Sequence, residues 1–389
     1  MTTNFAPSRF REDPDDPWWF VIDPLLILST IAITVIGVLL VYSATRGPAT
    51  DLTPADSSFL ERQAFFAVAG VGLAVGVSMV PIDRLRSLAS VGYVGAVALL
   101  FGVLQFGVTV NGSQAWFRFG GFSFQPSEPA KVVLIFTLAS LFSTERVGVG
   151  RLAAGLGLTL PLIVPIWLQP DLGTILVYVV ITAVIVLMSN ISTRLIMSLF
   201  LIAVGVITLI FTSDVLADYQ KSRLTVFVLD DEAVEELGED AIRVAYNAEQ
   251  SQIAIGNGGL TGQGLFNGSQ TTSNLVPEQQ TDFIFSVAGE ELGFVGAASL
   301  LALFGVVVFR IWRASARATD EFDRLLAVGV MAMFVFQVFQ SAGMTMGIMP
   351  VTGIPMPLVS YGGSSMLTSM IALGLVLGVH KRRFDFTRT

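Results

Sequence analysis

Apolar residues in this chain come in long unbroken runs separated by polar intervals, and they do not alternate with polar ones. Ten runs lie near 22–43, 62–80, 88–108, 130–144, 151–168, 172–189, 195–212, 283–309, 325–347 and 361–379. Most approach the roughly 17 to 25 residues that cross a hydrocarbon layer. Within a bilayer the backbone must pair inside protein, which leaves helices or a closed barrel, and a barrel would need period-two alternation. The pattern predicts an all-α integral membrane protein, one bundle of about ten transmembrane helices. The bundle would span 22–380, between a polar tail at 1–21 and a basic tail at 381–389. A large polar loop at 213–282 separates the seventh and eighth helices.

Composition agrees: 53% of the 389 residues are hydrophobic and 13% charged, too little charge for a soluble chain of this size. The first run follows a polar stretch and lacks a small-residue cleavage site, so it reads as a retained helix rather than a signal peptide. The chain has no Cys, and its single His, His380, lies in the terminal basic cluster. A thiolate nucleophile, a His-based metal site and a Ser-His triad are thereby excluded. An even number of spans puts both termini on one side. That side gathers fifteen of the 22 Lys and Arg, including Arg84, Arg146, Arg194 and Arg313, and is expected to be cytoplasmic.

The opposite face carries the polar interruptions. In the loop 213–282, the acidic stretch 230–240 reads either as a solvated segment or as a surface for a partner or cation. It is followed by QSQIAIGNGGLTGQG, whose Gly258 and Gly259 suit either a phosphate nest or a tight re-entrant turn against the bundle. In QPSEPAK, Ser127 is placed to cap a helix, and Glu128 and Lys131 are i,i+3 neighbours. They form either a structural ion pair or a phosphate contact. In QPDLGT, Asp171 suits the cap of a new helix. In PVTGIPMPLVSYGGSS, the prolines forbid regular helix before Ser360 and Tyr361. Finally, VPEQQTDFIFSVAGEELG sets Asp282, Glu290 and Glu291 at the start of an apolar run, where buried carboxylates are costly and usually functional. With Arg118, these groups share one side and suggest an outward-facing cavity, with nothing comparable on the basic side.

These segments, taken in order along the chain, resemble the signature stretches of the shape, elongation, division and sporulation (SEDS) glycosyltransferases. Pro350 to Pro355 resembles the rod-shape elongation, RodA-like branch. Ser341, where the family usually has Asn, and Gln280, where it often has His, depart from the pattern. The resemblance implies a peptidoglycan glycosyltransferase that polymerises lipid II at the outer face of the bacterial cytoplasmic membrane. Asp282 is implied as general base, acting on an acceptor hydroxyl within about 2.6–3.2 Å. Lys131 and Arg118, with Glu128 positioning Lys131, are expected to stabilise the pyrophosphate leaving group. Asp171, Gln252, Gly258, Gly259, Ser360 and Tyr361 complete the expected substrate contacts. A divalent cation, Mg2+ or Mn2+, is a candidate assistant, and no organic cofactor is expected. Expected partners are lipid II, the growing undecaprenyl-linked glycan and a class B penicillin-binding protein, with no nucleic acid. Two other readings stand beside this one: a lipid II flippase, and a scaffold that recruits a transpeptidase.

Overall fold

The structure, a computed structural model, describes residues 23–47, 56–110, 112–120, 122–212, 226–227 and 239–385. The polar tail 1–21 and residues 230–238 of the acidic stretch lie outside the described residues. Each of the ten apolar runs falls on a helix: α1 (Pro24–Thr45), α2 (Ser58–Met79), α3 (Ile82–Phe106), α4 (Ser127–Phe142), α5 (Val149–Leu168), α6 (Leu172–Met188), α7 (Thr193–Thr212), α10 (Ile284–Ala316), α11 (Glu321–Thr345) and α12 (Gly363–Asp385). The polar loop contributes α8 (Glu239–Gly258) and the single turn α9 (Ser269–Thr272). Among the described residues, seven helices are long and apolar enough to cross a membrane, and two shorter apolar helices accompany them.

The bundle is inside out compared with a soluble protein. Phe65, Val68, Val91 and Val94 on α2 and α3 are well exposed, as suits side chains facing hydrocarbon. α11 and α12 are instead enclosed by their neighbours. Helix contact without a hydrophobic driving force relies on small residues that let backbones approach. A Cβ on Gly374 of α12 would lie 2.5 Å from the Ala74 carbonyl oxygen of α2, and one on Gly329 of α11 would meet Ile135 of α4 and Ile185 of α6.

One interval departs from the all-helical expectation. Residues 108–124 form an antiparallel meander of β1 (Val108–Val110), β2 (Ser113–Phe119) and β3 (Phe122–Phe124), with strand order β1-β2-β3. Branched and aromatic residues favour strands, and Gly112 and Gly120, at φ 81° and 60°, make the reversals. Ser113 donates to the Gln169 carbonyl at 2.6 Å, tying the meander to the α5–α6 turn.

α10 is broken near its start. Gly293 has φ 66° and ψ −170°, a region essentially reserved for glycine. A break frees backbone groups that lipid cannot satisfy. The glycine-rich turn after α8 satisfies them: the amides of Gln263 and Gly264 donate to the carbonyls of Glu290 and Glu291, each at 3.0 Å. In return, the amides of Phe294 and Val295 donate to the carbonyls of Gly259 and Leu260 at 2.9 and 3.1 Å. Such approach needs missing side chains. A Cβ on Gly258 would sit 2.0 Å from the Gly289 oxygen, and one on Gly262 2.1 Å from the Glu291 oxygen. These glycines form the re-entrant turn against the bundle, and their neighbour is backbone.

The opposite, basic end is also polar inside, contrary to the expectation that nothing comparable lies there. Asp23 caps α1 by accepting from the Leu26 amide at 3.1 Å and takes two bonds from Arg310 Nε on α10, at 2.9 and 2.8 Å. His380 Nδ1 on α12 lies 3.9 Å from the same carboxylate. Arg382 of α12 pairs with Asp323 of α11 at 2.6 Å. Carboxylates buried at this end thus hold arginines of neighbouring helices through charge-assisted hydrogen bonds.

Gly293→Ala is expected to cost at least about 1–3 kcal/mol. A lowered thermal unfolding midpoint in detergent would register that loss. Gly305→Ala, where the added methyl meets open space within regular helix, should leave the midpoint unchanged or raise it; equal midpoints for the two variants would refute the role given to the break.

Candidate active site

The first turn of four described helices, α4, α6, α10 and α12, together with the residues just before each, converges on one cavity of about 890 Å³. Gln125 and Glu128 come from α4, Asp171 and Thr174 from α6, Asp282 and Phe283 from α10, and Gly362 and Ser364 from α12. Helix starts carry unpaired amides and the positive end of the dipole, so this cavity suits negative charge. The meander and α8 complete its wall through Trp116, Arg243 and Asn247.

Asp282 sits one residue before the cap of α10 and is half-buried. Its backbone neighbours are pinned from the broken segment 350–362. The Ser360 hydroxyl donates to the Thr281 carbonyl at 2.6 Å and accepts from the Met356 amide at 2.8 Å. The Tyr361 amide donates to the Gln280 carbonyl at 2.8 Å. Gln63, fully buried on α2, holds the same segment by donating to the Ser360 carbonyl at 3.0 Å and accepting from the Gly362 amide at 3.3 Å. A Cβ on Gly37 of α1 would lie 2.6 Å from the Leu358 oxygen, so this non-helical stretch is seated against α1 as well. The prolines leave its amides without a helix, and side chains from α2 and its own Ser360 supply the partners.

The remaining expected residues divide by location. Asp171 lines the cavity and caps α6, accepting from the Thr174 amide at 2.9 Å and hydroxyl at 2.7 Å. Glu128 lines the cavity and pairs at 2.8 Å with Lys131, whose side chain is 2% exposed behind it. Ser127 opens α4 itself and makes no capping bond. Tyr361 lines the cavity and packs edge-on against Phe59, ring centroids 4.9 Å apart. Ser360 acts behind the wall. Arg118, exposed on β2, and Gln252, exposed on α8 beside Gly347, are not among the cavity-lining residues. Gly258 and Gly259 sit at the re-entrant turn.

Glu290 and Glu291 also lie off the cavity. Glu290 is buried under the start of α9, accepting from the amides of Gln270 and Thr271 at 2.7 and 2.9 Å and from two hydroxyls. Glu291 accepts from the Ser43 hydroxyl of α1. Both fasten the loop that carries Asp282. The sequence reading missed Gln63, Arg243 and Asn247: a lone amide in an apolar run and two polar residues on a loop helix carry no motif. Spacing was the available signal for the last two, since positions 243 and 247 share a helical face.

This arrangement, a helical membrane bundle with one acidic, helix-capped cavity at one end, places the chain in a known class of membrane proteins. Residues 23–384 match the FtsW/RodA/SpoVE cell cycle protein family, and the chain belongs to that family. Among its relatives, the peptidoglycan glycosyltransferase MrdB of Escherichia coli K12 is 34% identical over 366 residues, covering 93% of this chain and 94% of MrdB. A chain from a peptidoglycan synthase complex, solved to show how polymerisation and crosslinking are coordinated, superposes with a TM-score of 0.77. It is 32% identical and covers 94% of this chain and 99% of that one. The rod shape determining protein RodA of Thermus thermophilus superposes with a TM-score of 0.68 at 31% identity, covering 95% and 99%. The chain is accordingly a multi-pass protein of the bacterial inner membrane.

Ser360→Ala removes two hydrogen bonds behind Asp282, each worth about 0.5–1.5 kcal/mol. Turnover of lipid II should fall with little change in KM, and Ser360→Thr should restore it. A change in KM alone would contradict the positioning role.

Proposed function

We propose that this chain, a peptidoglycan glycosyltransferase of the RodA/FtsW type that polymerises lipid II-linked glycan, carries out the transfer in this cavity with Asp282 as general base. The observation that carries the proposal is a half-buried carboxylate on the cavity wall, its flanking backbone held by Ser360 and Tyr361. In the step proposed, Asp282 accepts the proton of an acceptor sugar hydroxyl as that oxygen attacks the anomeric carbon of the donor. The carbon–oxygen bond to the lipid diphosphate breaks, and its electron pair leaves on the diphosphate. Transfer with inversion needs one base and a stabilised leaving group, not the paired carboxylates of a hydrolase.

Charge on the departing diphosphate would be met by the amides at the helix starts of α4, α6 and α12, aimed where that charge develops. Lys131 enters indirectly, by holding Glu128 against the cavity. The proposed Mg2+ or Mn2+ would draw most of its ligands from the diphosphate itself. Among the described residues no three carboxylate or imidazole side chains gather to hold a metal ion, and no step here is routed through one.

The architecture we propose is ten spans with both termini in the cytoplasm, the basic end inward and the cavity at the outer leaflet. The sequence PVTGIP at 350–355 supports a rod-shape elongation role. The match to a chain of a synthase complex that joins polymerisation to crosslinking supports a transpeptidase partner, proposed as a class B penicillin-binding protein. Translocation fits less well, because alternating access places discontinuous helices and polar groups near the midplane. Here the pairs Asp23–Arg310 and Asp323–Arg382 tie α1, α10, α11 and α12 together at the basic end.

Asp282→Asn preserves shape and removes the base. Purified with its transpeptidase partner and supplied with fluorescent lipid II, it should yield at least about 100-fold less polymer, with an unchanged unfolding midpoint. Polymer ladders equal to those of the unmodified protein would overturn the assignment.

A further inference from the structure

We infer that one face of α8 recognises the lipid-linked substrate, with Asn247 accepting a hydrogen bond from a sugar acetamido N–H or hydroxyl and Arg243 engaging the diphosphate. The inference rests on the cavity being the site of transfer. Arg243 and Asn247 are one helical turn apart and both line the cavity. Asn247 Oδ1 is enclosed and has no hydrogen-bond partner among the described residues. A buried acceptor left in that state is uncommon and marks a place where a ligand or water supplies the donor. A diphosphate brings only acceptors and cannot supply it. The N–H of an N-acetylated sugar or a ring hydroxyl can.

Arg243 answers the other half of the substrate. It is the one cation among the described cavity-lining residues, against Glu128, Asp171, Glu278 and Asp282. Its planar fork matches two oxygens of a phosphate, a geometry that a lysine ammonium lacks. The helix is mounted so that these groups keep a fixed relation to Asp282. Ala254 packs in a small core with Val276 and Phe283, the residue after Asp282. Ser251 donates to the Thr345 carbonyl at 3.0 Å, and Gly258 rests on Gly289 of α10. The proposed recognition face and the proposed base therefore sit on elements packed directly against one another.

The test uses the purified full-length chain and two probes, lipid II with a shortened isoprenyl chain and farnesyl diphosphate. Asn247→Ala should bind the lipid II probe about tenfold more weakly, the loss expected for one hydrogen bond, and farnesyl diphosphate normally. Asn247→Gln should recover part of the loss. Arg243→Gln should weaken both probes by about tenfold. Unaltered binding of both probes by the two α8 variants would overturn the proposal, as would equal losses for both probes with Asn247→Ala. Asp282→Asn separates the two claims. If it still polymerises while the α8 variants lose affinity, the base assignment fails and the recognition face stands. If it is inactive while the α8 variants bind normally, the reverse holds.

Discussion

Gly293 holds a backbone conformation essentially reserved for glycine, and the cavity end of the molecule is arranged around that fact. A break in a membrane helix exposes backbone groups where no water can reach them. Four hydrogen bonds from the turn at 259–264 close this one. The exchange fixes α8 on α10, and α8 then forms one wall of the cavity whose other side carries Asp282. Buried carboxylates reinforce the joint: Glu290 gathers the start of α9, and Glu291 reaches Ser43 on α1. Glu290 and Glu291, which look catalytic in the sequence, thus spend their charge on architecture, whereas Glu278 and Asp282 of the same segment line the cavity.

The chemistry follows from how helices begin. Four helix starts meet at the cavity, and each leaves amides that no internal carbonyl can accept. In water such ends are screened; beside lipid they persist as an anion-favouring field. The proposed base and the proposed contacts to the leaving group then fall on different parts of one pocket. The far end of the bundle does the opposite job. Its buried ion pairs bind helix ends together, so the polar interior is split between a working mouth and a closed base.

Much of this was legible from sequence. Hydrophobic runs located every long helix of the bundle, because the bilayer leaves the backbone few alternatives. Asp171 was readable as a cap and Glu128 with Lys131 as an ion pair, since both depend on local spacing. The meander at 108–124 was missed, although an Asn-Gly pair at 111–112 amid aromatic residues is a hairpin signal. The glycines at 258–264 announced close approach but not what approaches, and their neighbour proved to be the backbone of α10. Arg118 was grouped with the pocket by sidedness alone, whereas its strand turns it outward. Gln63 and Arg310 were invisible as sites, because each meets a partner more than two hundred residues away.

The proposed transfer requires the side chain of Asp282 within reach of the attacking hydroxyl. In a structure of the Asp282→Asn chain bound to lipid II, the acceptor sugar oxygen is expected within about 2.6–3.2 Å of the side chain at position 282, with the diphosphate against the starts of α4, α6 and α12. A sugar bound elsewhere, or a diphosphate lying at the basic end beside Arg310, would contradict it.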